Sequence, residues 1–306
     1  MTRSPSPGLS AVLRWISLVL AVGALAYVAA VAVQSWRMGQ IRPKFAATGL
    51  SSAFVAILVS LFLLAWTWHW VVARMGVRVG RREALYAWFA SNLYKYLPGQ
   101  IWAPVGRIAI GSKFGIPARA ALVTTGMEQL FSLLSAAVVC AAALGLITPV
   151  ILLGLLSVAC IHPYVAKAAL AAVSRILRRP MVLVPLRARH LLILYMVSYC
   201  SLCLSVVALG CVLGSVGSFR VSEVRTYVMA LTASSMAGQL FFGAPAGLGI
   251  REAAMAVALT RAGLTRPEGS AVALLLRLLA VVAEAAGFGI TLVGVGRAQR
   301  RGDGAP

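Results

Sequence analysis

The sequence predicts an all-α polytopic integral membrane protein, and three observations carry that prediction. Of 306 residues, 61% are apolar and only 11% charged, against about 45–50% and about 25% in an ordinary soluble domain. Mean hydropathy is +0.91. Six apolar runs, at 12–34, 50–73, 120–147, 149–173, 190–213 and 270–296, reach the roughly 20 residues that a helix needs to cross about 30 Å of hydrocarbon. Such proportions exclude a soluble enzyme, a disordered tail and a secreted disulfide scaffold.

Taken in order, the first run could be mistaken for a signal peptide. Its stretch from Trp15 to Val33 is long for the core of one, so an uncleaved span is expected. The second run ends in Trp66-Thr67-Trp68-His69-Trp70, read as an anchor at the membrane interface. The run 149–173 is interrupted by His162-Pro163, which marks a kink.

Two further stretches are apolar but broken. The stretch 84–110 contains Asn92, Lys95, Pro98, Gly99, Pro104 and Arg107. The stretch 224–260 contains Gly238, Gln239, Gly243, Pro245, Gly247, Gly249, Arg251 and Glu252. Helix breakers and charges at membrane depth are tolerated only where protein or a wet cavity covers the backbone. Each stretch is therefore expected to be re-entrant, a pair of short half-helices meeting at its Pro-Gly break.

Lys and Arg number 28 against 7 Asp and Glu, a net charge of +21. The basic residues fall mostly in short loops between apolar runs, which points to positive-inside topology and anionic lipid. No nucleic-acid partner is expected. The loop 73–83 carries Arg74, Arg78, Arg81 and Arg82; the loop 167–189 carries Lys167, Arg175, Arg178, Arg179, Arg187 and Arg189; the tail 297–306 carries Arg297, Arg300 and Arg301. Placing these in the cytoplasm of a cell-membrane protein puts both termini inside. The loops 147–149 and 214–222 are then outside, with almost no positive charge, while 34–49 (Arg37, Arg42, Lys44) fits less well.

Within one transmembrane domain over 1–306, the order span, span, broken pair, span over 12–147 recurs over 149–296 from the opposite side. That is an inverted repeat of the kind found in secondary transporters. Gly106-Arg107 parallels Gly249-Ile250-Arg251, and Gly115-Ile116 parallels Gly263-Leu264. Glu128 follows Gly115 at nearly the interval by which Arg277 follows Gly263, so opposite charges stand at near-equivalent depths.

Lys95, Arg107, Glu128, Arg251, Glu252, Arg277 and Glu284 lie in or near the membrane, where a charge at the helix centre costs about 2.5–3.5 kcal/mol. Three of the chain's 7 acids are in that group. Arg277 and Glu284 lie two turns apart on one helix face, and Glu128 is a candidate partner for Arg277 across the repeat interface. Such charges serve either as structural ion pairs or as a site for a charged headgroup or a coupling proton.

In Lys95-Tyr96-Leu97-Pro98-Gly99-Gln100-Ile101-Trp102, a cation and aromatics sit beside a backbone break. Exposed N–H groups there suit an anion such as phosphate; snorkelling of Lys95 to the headgroups is the structural alternative. The glycines of 244–252 admit close backbone approach, but no P-loop is present. The five cysteines lie in apolar runs, and Cys200-x-x-Cys203 lacks a second pair. With no triad order, no H-E-x-x-H and no acidic cluster, no enzymatic activity, metal or cofactor is expected.

Asn92-Leu93-Tyr94-Lys95-Tyr96-Leu97-Pro98-Gly99 with Ile101-Trp102 and Gly106-Arg107, then Gly247-Leu248-Gly249-Ile250-Arg251-Glu252, resemble the flippase-like transmembrane region of lysylphosphatidylglycerol synthases. The resemblance runs from about residue 12 to 296. It implies a helical membrane domain with re-entrant elements, and a role in moving or presenting modified lipids across the cytoplasmic membrane. Lys95, Pro98, Gly99, Arg107, Gly249, Arg251 and Glu252 match motif positions, with Glu128 and Arg277 as intramembrane charges. The two-part synthases continue into a soluble aminoacyltransferase domain, whereas this sequence ends at Pro306, so a stand-alone member is expected.

These readings converge on a translocase for a phospholipid or lipid-linked molecule with an anionic or zwitterionic headgroup. Lys95, Arg107, Arg251 and Arg277 would neutralise the phosphate; Glu128, Glu252 and Glu284 would balance those cations or meet an amine. Two alternatives stand beside it. One is a non-transporting partner that presents lipid-linked substrate to a separate glycosyl- or aminoacyl-transferase. The other is a secondary transporter of a small anion.

Overall fold

Backbone polar groups in a bilayer have no water to bond, so an apolar chain that spans it folds into helices. The computed structural model describes residues 46–97, 101–162, 164–165, 168, 187–241, 245–247 and 249–302, with no strand among them. The helices are α1 (Ala47–Arg74), α2 (Arg81–Asn92), α3 (Trp102–Gly111), α4 (Ala118–Leu144), α5 (Ile147–Ile161), α6 (Ala188–Ser215), α7 (Val224–Leu240), α8 (Ile250–Leu259) and α9 (Arg266–Gly302).

Among the described residues, α1, α4, α6 and α9 are long and apolar enough to cross a membrane. The chain is a multi-pass membrane protein. Of the two other expected spans, 12–34 lies outside the described residues, and α5 covers 149–161 of the other before ending at His162. Only Ser157 of α5 is buried; Ile147, Leu152, Leu155 and Val158 are exposed, as suits a peripheral helix facing lipid.

The two broken stretches each form two short helices around a break. Pro98 and Gly99 of the first break, and Gly243 of the second, lie outside the described residues. The turns that follow match: a 3-10 turn at Ser112–Phe114 closes on Gly115 at φ 75°, and one at Thr260–Ala262 closes on Gly263 at φ 81°. This left-handed conformation is open to glycine at no steric cost. The next residues, Ile116 and Leu264, are buried. Helix α9 then opens with a capping box, in which the Thr265 and Glu268 side chains each bond the other's backbone N–H.

The packing has a regular plan. Set one is α1–α4 and set two is α6–α9; exchanging α1 with α6, α2 with α7, α3 with α8 and α4 with α9 maps the neighbours onto each other. Thus α2 packs on α9 as α7 packs on α4, and α1 packs on α9 as α6 packs on α4. The most extensive interface, α1 with α6, maps onto itself. Those two helices are antiparallel: Ala46 N–H bonds Ser215 O at one end, Ser60 and Ser201 Oγ meet at 2.7 Å, and the Trp70 and His190 rings lie 5.2 Å apart at the other end.

Helix α2 starts beside the C-terminal end of α1, with Arg81 over the Trp66 ring, and runs back along it past the Phe62–Phe89 contact. Helix α3 returns to Ile116, which clusters with Trp68, Val72 and Ala84 at that same end. Helix α7 starts at the opposite end, where Arg225 Nε donates to Ala143 O near the close of α4. Helix α8 returns there too, since Leu264 clusters with Val212 and Leu213. The two hairpins enter from opposite ends, and their tips, Leu93–Tyr96 and Pro245–Gly247, touch in the middle.

Candidate functional site: a charged and hydroxyl-lined cavity between the hairpin tips

Where the tips meet, a cavity of about 350 Å³ opens between the two helix sets. This is within the usual range for small-molecule sites, about 300–1,000 Å³. Its lining is charged, with Lys95, Glu128, Arg251, Glu252, Arg277 and Glu284. It is also rich in hydroxyls, with Ser60 of α1, Ser132 and Ser135 of α4, and Ser198, Ser201 and Ser205 of α6.

The first hairpin carries a sealed ion pair. Arg107 on α3 donates Nη1 to Glu128 Oε2 at 2.7 Å and Nε to Ser91 Oγ at 3.2 Å. Its guanidinium carbon lies 5.3 Å from the Trp68 ring centroid and 5.2 Å from that of Trp88. Trp88 Nε1 donates to the same Glu128 oxygen at 3.2 Å. The Arg107 side chain is 2% exposed and that of Glu128 9%. A buried pair persists only when its remaining donors and acceptors are met, and here two indoles, a serine and Thr125 (3.4 Å) complete the shell. Gly106 allows it: a Cβ there would come within 2.8 Å of Tyr94.

The second hairpin repeats the linkage and leaves it open. Arg251 on α8 donates Nη2 to Ser235 Oγ on α7 at 3.1 Å, and sixteen residues separate the partners, as in Arg107 and Ser91. No carboxylate bonds Arg251 among the described hydrogen bonds. Where set one has Glu128, set two has Arg277 at nearly the matching place on α9. Arg277 Nη2 donates to Ala246 O at 3.2 Å, and its Nε faces Glu252 Oε1 at 3.8 Å. Both of those facing atoms are buried without a hydrogen bond. The other Glu252 oxygen accepts from Gly249 N–H at 2.7 Å, capping the start of α8.

A third connection joins the tips to α9. Lys95 forms an ion pair with Glu284 Oε1, and Tyr96 Oη donates to Glu284 Oε2 at 3.0 Å. The Tyr96 ring lies 5.5 Å from both Lys95 Nζ and the Arg277 guanidinium carbon. Tip two folds back on its own helix α7: Gly247, at φ 68°, lies so close to Gly238 that a Cβ would come within 2.7 Å of its Cα.

A family model described as the lysylphosphatidylglycerol synthase TM region matches residues 14–287. The chain belongs to that family. No curated protein and no solved structure matches it at a significant level.

In this lysylphosphatidylglycerol synthase TM-region protein, six of the ten residues singled out in the sequence line the cavity: Lys95, Glu128, Arg251, Glu252, Arg277 and Glu284. Arg107 lies just behind it, and Gly249 contributes its backbone N–H to Glu252. Pro98 and Gly99 lie outside the described residues. The expected pairing of Glu128 with Arg277 is corrected: Glu128 bonds Arg107 of its own helix set, and Arg277 faces Glu252. The aromatic cluster 66–70 is also divided. Trp66 is exposed, but Trp68 is buried, donates to Thr124 Oγ1 at 2.9 Å and walls Arg107.

The sequence reading missed the serines. Their signal is spacing: Ser198, Ser201 and Ser205 fall on one face of α6, and Glu128, Ser132 and Ser135 on one face of α4.

Proposed function

We propose that this protein is a lipid translocase of the cytoplasmic membrane, built as an inverted repeat with two re-entrant hairpins, and that it is not an enzyme. The carrying observation is the cavity between the hairpin tips, lined from both sets and holding Arg251 and Arg277 without a hydrogen-bonded carboxylate. The antiparallel α1–α6 contact and the exchangeable packing support the inverted repeat. Family membership supports a lipid-related role.

A headgroup phosphate would lie against Arg251 and Arg277 while its acyl chains remain in lipid. Rocking of one set against the other about the α1–α6 contact would open the cavity to each leaflet in turn. The end bearing Arg74, Arg78, Arg81, Arg82, Arg187 and Arg189 faces the cytoplasm in this reading, by the positive-inside rule. Its partners are membrane lipids, with a lipid-modifying transferase upstream or downstream.

The test is movement of fluorescent headgroup-labelled phospholipids and glycolipids by the purified protein in liposomes. Movement by the native chain that is lost in Arg251→Ala, with folding intact, is the expected result. No movement by well-folded native protein overturns translocation and leaves presentation to a partner transferase. Proton-coupled uptake of a soluble anion without lipid dependence would show a secondary transporter instead.

A further inference from the structure

Charge and hydroxyl placement in the cavity select among headgroups. In and around it, Lys95, Arg107, Arg251 and Arg277 stand against Glu128, Glu252 and Glu284, one cation in excess among the described residues. Each carboxylate already stands opposite a cation: Glu128 by Arg107, Glu284 by Lys95, and Glu252 by Arg277. Glu252 Oε1 is buried without a hydrogen bond, and an ammonium approaching it meets the Arg277 guanidinium 3.8 Å away; at Glu128 both described bonds go to Oε2, and the Arg107 guanidinium stands beside it. The donors are less fully used. Arg277 Nε is buried without a partner, on a side chain 8% exposed, and a buried donor of that kind calls for an acceptor.

The serines of the lining offer acceptors. Ser135, Ser198 and Ser205 give their protons to Ser132 O, Leu194 O and Ser201 O, at 3.0, 3.0 and 2.9 Å, within their own helices. Their remaining lone pairs are suited to O–H donors. A phosphodiester has no proton to give these oxygens; a polyol hydroxyl does, as would an ammonium, and it is the charge balance that sets the two apart.

We infer that the cavity takes an anionic phosphodiester whose other substituent is an uncharged polyol, such as glycerol, inositol or a sugar, and that it discriminates against ammonium-bearing headgroups, lysyl-phosphatidylglycerol included. One negative charge neutralises the excess cation; a zwitterion leaves it unmatched, and a lysyl headgroup adds to it. This inference rests on the reading of the cavity as a headgroup site, and it concerns binding, whether or not transport follows.

The experiment is binding to the full-length purified chain in detergent, read by thermal stabilisation on titration. The probes are phosphatidylglycerol, phosphatidylethanolamine, lysyl-phosphatidylglycerol and the chain-free headgroup glycerophosphoglycerol. Phosphatidylglycerol is expected to bind at least about tenfold more tightly than either amine lipid, the equivalent of one good polar interaction. Arg277→Gln should remove that binding. Ser198→Ala with Ser205→Ala, which removes only bonds within α6, should cut the preference several-fold without lowering the unliganded Tm, which separates recognition from folding.

Equal or tighter binding of lysyl-phosphatidylglycerol or phosphatidylethanolamine overturns the inference, even if liposome scrambling succeeds. Selective binding of phosphatidylglycerol without scrambling upholds it and overturns translocation. Glycerophosphoglycerol binding as tightly as the lipid upholds the headgroup chemistry and assigns the site to a soluble polyol phosphate.

Discussion

Arg107 and Arg251 occupy corresponding places on the two hairpins, each on the returning helix and each bonded to a serine sixteen residues earlier. Their surroundings then diverge. Arg107 is enclosed by Glu128, Trp68 and Trp88, whereas Arg251 lines the cavity with Arg277 standing where set one has its carboxylate. The same linkage is closed by a carboxylate of the chain in set one and left without a hydrogen-bonded carboxylate in set two. A buried cation needs an anion from somewhere: Arg107 takes it from Glu128, and on the proposed reading Arg251 takes it from a ligand.

That contrast can be broken most directly at Glu128. Glu128→Ala leaves Arg107 buried without its counter-charge and should cost about 3–5 kcal/mol, seen as a large fall in Tm in detergent; an unchanged Tm would remove the distinction between the halves. Next is the seat of the first hairpin on α9, where a Cβ on Gly287 would fall 2.1 Å from Phe89 Cε1. Gly287→Val should cost about 1–3 kcal/mol by overpacking, and Phe89→Ala should relieve part of it in the double variant.

The Lys95–Glu284 pair is the third target. Single replacements by Met should each destabilise, and the double replacement should recover part of the loss, with a coupling of about 0.5–3 kcal/mol in a double-mutant cycle. Additive losses would show that the tip is not held by this pair. Arg251→Gln sharpens the comparison from the other side, since it loses only the bond to Ser235. Stability should fall by about 1 kcal/mol or less while lipid movement is abolished; a fall as large as that of Glu128→Ala would make Arg251 structural too. Smallest is Ser60→Ala, which removes one interhelical bond in the membrane, worth about 0.6 kcal/mol, measurable by reversible unfolding in mixed micelles.

Charges at membrane depth are legible in the sequence because each is costly there, so Lys95, Arg107, Glu128, Arg251, Glu252, Arg277 and Glu284 stand out from their apolar surroundings. Their partners do not. The Glu128–Arg277 assignment assumes that opposite charges at equivalent depths must meet, but equivalent depth in two related halves does not fix distance. What brings Glu128 to Arg107 is the packing of α3 against α4, a tertiary fact. Trp68 misleads for a related reason: an indole near a span end suits the interface, and only the approach of α2 and α3 covers it.

The serines escape notice because a helical serine bonds its own upstream carbonyl and costs the membrane little, leaving no anomaly in composition. The helix–break–helix form of both interrupted stretches is legible from Pro, Gly and charge together. The end of α5 falls at His162-Pro163, where the sequence predicts a kink; most of the run beyond it lies outside the described residues.

Helix α5 stands outside the exchange of the two sets because its expected counterpart, the span 12–34, lies outside the described residues, yet its parity matters. The chain leaves α4 at Gly145 at one end of the bundle and enters α6 at Arg187 at the other, as the Arg225–Ala143 and Trp70–His190 contacts establish. One crossing must lie between, and the 15 residues of α5 supply about 22 Å of it. Its side chains bury almost nothing, so its sequence is free to drift as long as it stays apolar. That crossing sets α6 antiparallel to α1: a chain severed there would have to deliver its two pieces in opposite orientations.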